Sequence, residues 1–281
     1  KDFSHALSRH PKVFDNIFIN MIKAGEASGQ LDDVLDRLAT HMEESEELKG
    51  EIKSAMTYPV VSLVMICCIS LGLLVFVLPQ FRDIFDSLKQ DMPILTEAVM
   101  NLSDLAQSNF GLILFSVLGS ILGIRMLINT HRGRRVWDAL ILRIPIFGPL
   151  MQKTIVSRFS GTFATLIRSG VPILGALEIV SKTTGNVHYS EAIEKSAEAV
   201  RQGENLGNPL SRTKRFPPMV CRMIAIGERS GSLEQLLEKV SQFYDSEVRS
   251  TVKQLTSLIE PFLILIMGGV VGTMVLAMFL P

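Results

Sequence analysis

Cysteine is scarce in this 281-residue chain, which holds only Cys67, Cys68 and Cys221. Two of them adjoin inside an apolar run and none has a metal-ligand spacing. That scarcity excludes a disulfide framework and fits a protein whose water-facing parts lie in the cytosol. All three are expected to be small buried hydrophobes. Net charge is missing too: 28 Lys and Arg balance 28 Asp and Glu. Global charge therefore does not point to a nucleic-acid partner. His5, His10, His41, His131 and His188 are scattered, with no metal-like pairing. There is no Gly-x-Ser-x-Gly, Walker or dinucleotide fingerprint, and no run of alternating strand character. The acidic run Glu43, Glu44, Glu46, Glu47 precedes Lys49 and Lys53. It reads as a solvated helix face with one pair, Glu46–Lys49, rather than as paired catalytic carboxylates. No catalytic residue, cofactor site or metal site is expected.

What the chain does have is long uncharged apolar runs. Residues 59–79 and 261–281 are each bracketed by proline and carry no charge. Both match the ~20 residues a helix needs to cross a bilayer core. Residues 111–129 form a weaker run with Arg125 near its end, and that guanidinium can reach the interface. Three transmembrane helices are thus expected. Between the first two lie Arg82 and Lys89 among five carboxylates; after the second come Arg132, Arg134, Arg135, Arg143, Lys153 and Arg158. The basic side is cytoplasmic by the positive-inside rule. This gives cytoplasmic segments at 1–58 and 130–260 and a periplasmic one at 80–110. In the latter, Ile94, Leu95, Ala98, Val99, Leu102 and Leu105 recur at helical spacing. They suggest a short amphipathic helix on the outer face of the membrane, or equally a plain packing helix.

An internal repeat supplies the strongest signal. Gly25-Glu26-Ala27-Ser28-Gly29-Gln30-Leu31 returns as Gly227-Glu228-Arg229-Ser230-Gly231-Ser232-Leu233, an offset of 202. Pro59 and Pro261 keep that offset, as do Leu78-Pro79 and Leu280-Pro281. The fold expected is an all-α membrane protein with two homologous cytoplasmic helical bundles, the first truncated, each leading into a membrane helix. The second bundle divides into helices near 149–168, 172–183, 187–202, 217–227 and 232–250. An N-terminal portion is expected to precede Lys1, because the first copy starts where the second already has three helices behind it. An apolar face on 14–42 is then expected to lack an intramolecular partner.

In the repeated motif, Gly25 and Gly227 are expected to take the left-handed conformation that closes a helix. Ser28 and Ser230 are expected to cap the next helix, whose Leu31, Leu35, Leu38 and Leu233, Leu237, Val240 form an apolar stripe. Gly29 and Gly231 complete the turn. Glu26 and Glu228 are either turn-stabilising carboxylates or contacts for a partner on an exposed corner. Pro59, Glu260 and Pro261 mark where helices pass into the membrane. Gly119 with Gly123, and Gly268 with Gly272, are GxxxG spacings that let helices approach closely in lipid.

These residues resemble the GspF/PilC family. The resemblance is carried by the doubled Gly-Glu-x-Ser-Gly-x-Leu, by Thr57-Tyr58-Pro59 and by Leu258-Ile259-Glu260-Pro261. The Gly-Gly-Val-Val-Gly of the last run and Leu166–Ile173, with its Gly170-Val171-Pro172, add to it. It covers the whole chain and departs from the family only in lacking the N-terminal region. It implies an inner-membrane platform protein of type IV pilus or type II secretion systems. Such a protein would couple a cytoplasmic assembly ATPase to polymerisation of pilins or pseudopilins. Its partners would be that ATPase, pilin or pseudopilin transmembrane helices, other inner-membrane assembly proteins and further copies of itself. An oligomeric transporter subunit is the other reading, although the spans lack intramembrane acids.

Overall fold

A computed structural model describes residues 2–11, 13–80, 94–145 and 147–279. All regular structure among them is helical. The helices are α1 (Phe3–Leu7), α2 (Asn16–Ser28), α3 (Leu31–Gly72, prolonged by a π-helical turn Leu73–Val77), α4 (Ile94–Ser108), α5 (Phe110–Asn129) and α6 (His131–Arg143). They continue with α7 (Phe147–Arg168), α8 (Ile173–Thr183), α9 (Val187–Arg201), α10 (Gly207–Arg212), α11 (Pro218–Ser230) and α12 (Leu233–Phe279). Two compact units share them. One comprises residues 1–52 and 131–252, the other 53–130 and 253–281.

The first unit is a helical bundle built as its periodicity predicts. Asp15 accepts from the Phe18 amide at 2.8 Å and so starts α2; Asn186 accepts from the His188 amide at 3.0 Å and starts α9. At the end of α7, Gly170 takes φ 79°, while the Val171 amide bonds the Leu166 carbonyl and the Gly170 amide bonds Ile167. This pairing satisfies carbonyls that the helix end would otherwise leave open. Phe159, Phe163 and Leu166 of α7, Leu177 of α8 and Ile193 of α9 are fully buried. Each such side chain contributes roughly 1.5–3 kcal/mol. Phe216 packs between Phe159 and Tyr189, and the Tyr189 hydroxyl donates to the Arg215 carbonyl at 3.0 Å. Burial pushes that phenol up to about 12.

One expectation fails here. The apolar face of 14–42 has an intramolecular partner: Met21, Ile22, Val34 and Leu38 belong to the same core as α7, α8 and α11. The early helices close the second bundle, because their buried stripe meets the face that α7 and α8 leave open. Within that stripe Val34 is buried and Leu35 is 39 % exposed, reversing the predicted order.

The second unit is apolar. Two helices among the described residues, Leu31–Gln80 and Leu233–Ala277, are long and apolar enough to cross a membrane; Leu118–Asn129 is a shorter apolar stretch. Pro59 and Pro261 lie inside α3 and α12. Each removes one amide from the ladder, and the helix on either side carries on past it. Cys67 and Cys68 are exposed, contrary to expectation, since no described residue covers α3 on that side; Cys221 is buried. Leu78 packs on Met100 and Val99. In α4, Ile94, Leu102 and Leu105 of the predicted stripe are exposed, while Val99 packs on Leu78 and Thr96 and Ser103 are buried. Residues 81–93 of the expected periplasmic segment, with Arg82 and Lys89, lie outside the described residues.

Candidate functional site

The repeated motif forms two turns of one geometry. Gly29 (φ 72°) and Gly231 (φ 69°) adopt the left-handed conformation. The amides of Gly29 and Gln30 both reach the Gly25 carbonyl; those of Gly231 and Ser232 both reach Gly227. The left-handed residue is therefore the second glycine of each motif, not Gly25 or Gly227 as expected. Those two are helical and serve close approach. A Cβ on Gly227 would lie 2.7 Å from the Leu233 Cα, and one on Gly25 would lie 3.2 Å from the Val34 side chain. Ser28 and Ser230 end their helices instead of opening the next, because the helices run three residues past Gly25 and Gly227. The Ser230 hydroxyl donates back to the Ile226 carbonyl at 2.9 Å. Leu31 packs against the core, and Leu233 is buried in it.

The two glutamates have matching partners. Glu228 Oε2 accepts from the Leu206 amide at 2.8 Å, where α10 begins. Glu26 accepts from the Phe3 and Ser4 amides, the latter at 3.2 Å, where α1 begins. Ser4 and Leu206 stand in the same 202-residue register as the motif itself. Each carboxylate satisfies amides that a helix start leaves open. Hydrogen bonds from Ser4 hold the Glu26 carboxyl below the usual range.

The same bundle contains a cleft of about 890 Å³ that the sequence did not announce. His41 of α3 lines it, with Ser157 of α7 and Asp245 of α12. The Ser157 hydroxyl donates to Asp245. Burial raises the Asp245 carboxyl, against the pull of Ser157 and His41. Burial also lowers the His41 imidazole, against the attraction of Asp15 and Asp245. His41 and Asp245 are 204 residues apart, so no local spacing could have joined them. Around this cleft, Arg168 pairs with Glu234 at 2.5 Å and also with Glu238; Lys153 pairs with Glu247 at 2.7 Å.

Of the remaining predicted residues, Glu260 is exposed on α12. Gly119, Gly123, Gly268 and Gly272 have no described atom within 4 Å of an added Cβ. No described helix of this chain approaches them.

A family profile described as Type II secretion system (T2SS), protein F, matches residues 1–79 and 159–281. The chain is 41 % identical over 283 residues to the type IV pilus assembly protein PilC of Myxococcus xanthus, covering 99 % of this chain and 67 % of that protein. It is 43 % identical to the protein of the same name from Thermus thermophilus, covering 99 % and 69 %. It is 34 % identical to the type II secretion system protein F of Pseudomonas aeruginosa, covering 98 % and 68 %.

Proposed function

This chain belongs to the type II secretion system protein F family, and from that premise we propose that it is the inner-membrane platform on which a pilus or pseudopilus is assembled. The observation that carries the reading is likeness along nearly the whole chain to proteins named for pilus assembly and for type II secretion. Two long apolar helices supply the membrane attachment such a role requires. In this reading α5 is a third span and the first unit faces the cytoplasm, as the basic residues after α5 favour. The two Gly-Glu-x-Ser-Gly-x-Leu turns are copies of one ancestral unit. The platform does no chemistry of its own. It couples a cytoplasmic assembly ATPase to the movement of pilin or pseudopilin helices out of the bilayer. The uncovered Gly119, Gly123, Gly268 and Gly272 are available to helices of pilins or of further copies of this chain.

The test is genetic and biochemical. Deleting the gene should abolish surface pili or secretion, and restoring it should recover them; no change in either overturns the platform reading. Purified chain in vesicles should accelerate ATP turnover by the assembly ATPase while hydrolysing none alone. An unchanged ATPase rate would remove the coupling role and leave a passive scaffold.

A further inference from the structure

Pro79 and Pro281 close the two repeated apolar runs, and proline has no amide proton to give its helix. The Ala277 carbonyl lies in the last described turn of α12, which runs to Phe279. The Leu74 carbonyl loses its donor. Leu73–Val77 is a π-helical turn, and the Leu78 amide reaches back to Leu73. The next amide in that register would be that of residue 79, again a proline.

Helix α4 provides a hydroxyl for each carbonyl. Thr96 Oγ1 donates to the Ala277 carbonyl at 2.8 Å, and Ser103 Oγ donates to the Leu74 carbonyl. Gln107 Nε2 donates to Ser103 Oγ at 3.2 Å, so the serine's own proton is committed to Leu74. Thr96 and Ser103 are 2 % and 1 % exposed and stand two turns apart on one face of α4. Other hydroxyls of this unit, on Ser70, Ser108 and Thr273, turn back to the carbonyl four residues earlier in their own helix. The opposite face of α4 presents Ile94, Leu102 and Leu105, exposed by 87, 55 and 60 %. Glu97, Asn101 and Asp104 are also exposed on α4, so its open side is mixed, as on a helix at a membrane interface. The helices it binds are likewise apolar where they are open, at Val64, Phe76, Leu265 and Leu276.

We propose that α4 is a membrane-interface clasp, whose hydroxyl face holds the Leu74 and Ala277 carbonyls and whose Ile94, Leu102 and Leu105 face contacts lipid acyl chains. Hydrocarbon offers an open carbonyl no water, so the Ser103 hydroxyl supplies what Pro79 withholds, and Thr96 gives the Ala277 carbonyl a donor from α4. The proposal rests on the reading of α3 and α12 as spans.

The experiment uses full-length chain, free of native cysteines, reconstituted alone in phosphatidylcholine vesicles with or without brominated acyl chains. A fluorophore is placed at Leu102→Cys, Val64→Cys or Lys195→Cys in turn. Bromination should quench the Leu102 probe to within twofold of the Val64 probe and several-fold more than the Lys195 probe. An unquenched Leu102 probe beside a quenched Val64 probe overturns the clasp and leaves the spans intact. If Val64 is unquenched as well, the span reading fails and takes the proposal with it. A second arm tests the hydrogen bond. Ser103→Ala should lower the melting temperature, Ser103→Thr should restore most of it, and Pro79→Ala should at least halve the Ser103→Ala loss. An equal loss with and without Pro79 overturns the assignment of Ser103 to the orphaned carbonyl.

Discussion

The Leu206 amide donates to the Glu228 carboxylate at 2.8 Å from 22 residues upstream, and tethers the start of α10 to the end of α11. Leu206 is fully buried, so removing the acceptor strands an amide away from water. Glu228→Ala should cost about 1–3 kcal/mol, and Glu228→Gln less because an oxygen remains. Thermal melts of purified protein, compared with pilus counts or secretion, check this. Normal assembly at a lowered melting temperature makes the glutamate a folding element. An unchanged melt with lost assembly would instead reveal a partner contact. Glu26→Ala should show a smaller shift, since the Phe3 amide it accepts from is exposed.

The two glycines of each motif should fail for different reasons. Gly231→Ala meets no atom within 4 Å but must hold φ 69°, a cost of about 1 kcal/mol. Gly227→Ala has ordinary helical backbone but drives its Cβ to 2.7 Å from the Leu233 Cα, which overpacks the turn by about 1–3 kcal/mol. Gly231→Asn should therefore recover stability, because asparagine tolerates the left-handed region, while no side chain at 227 should do so. Equal tolerance of alanine at both positions in denaturant melts would contradict this assignment.

Stability should depend on pH through His41. Burial holds the folded-state imidazole below its ordinary 6.5. The unfolded chain takes up a proton at higher pH than the folded chain does, so stability is lost as pH falls through that value. Asp245 runs the other way, since its burial cost is relieved on protonation, but in a lower window near and above 3.8. Between pH 7.5 and 6, His41→Gln should flatten the decline in melting temperature. A slope that survives the substitution would place the titrating group elsewhere.

Orientation can be read by labelling intact cells with an impermeant maleimide. In a background without Cys67, Cys68 and Cys221, Ser108→Cys should react and Lys195→Cys should not. Both positions are exposed, whereas Ser196 is fully buried and would stay silent on either side. Labelling at 195 in sealed cells would invert the proposed topology.

Much of the helical framework was legible because its causes are local. Breaks at Gly170-Val171-Pro172 and Thr184-Gly185-Asn186 sit where α7 and α8 stop, and the uncharged runs after Pro59 and Pro261 are helical as far as the described residues reach. The turn motif was legible as a turn, but not in its register. Either glycine could have taken the left-handed position, and only the length of α2 and α11 selects the second. The glutamates were left between two readings because the amides they accept from lie 22 or 23 residues upstream. The periodicity of α4 was legible and its facing stayed between two readings: a stripe of leucines shows which residues share a side, not whether protein or membrane covers it.

The sequence by itself determined the helices, the apolar runs, the repeated turn and the family, since each follows from residue order along a few turns of chain. Tertiary structure alone decided that Met21, Ile22, Val34 and Leu38 complete the core of the later helices. It also joined His41 to Asp245 and turned Thr96 and Ser103 toward carbonyls on α3 and α12. Those outcomes depend on which distant surfaces meet and which hydrogen-bonding groups they leave unpaired, and residue order along one helix carries neither.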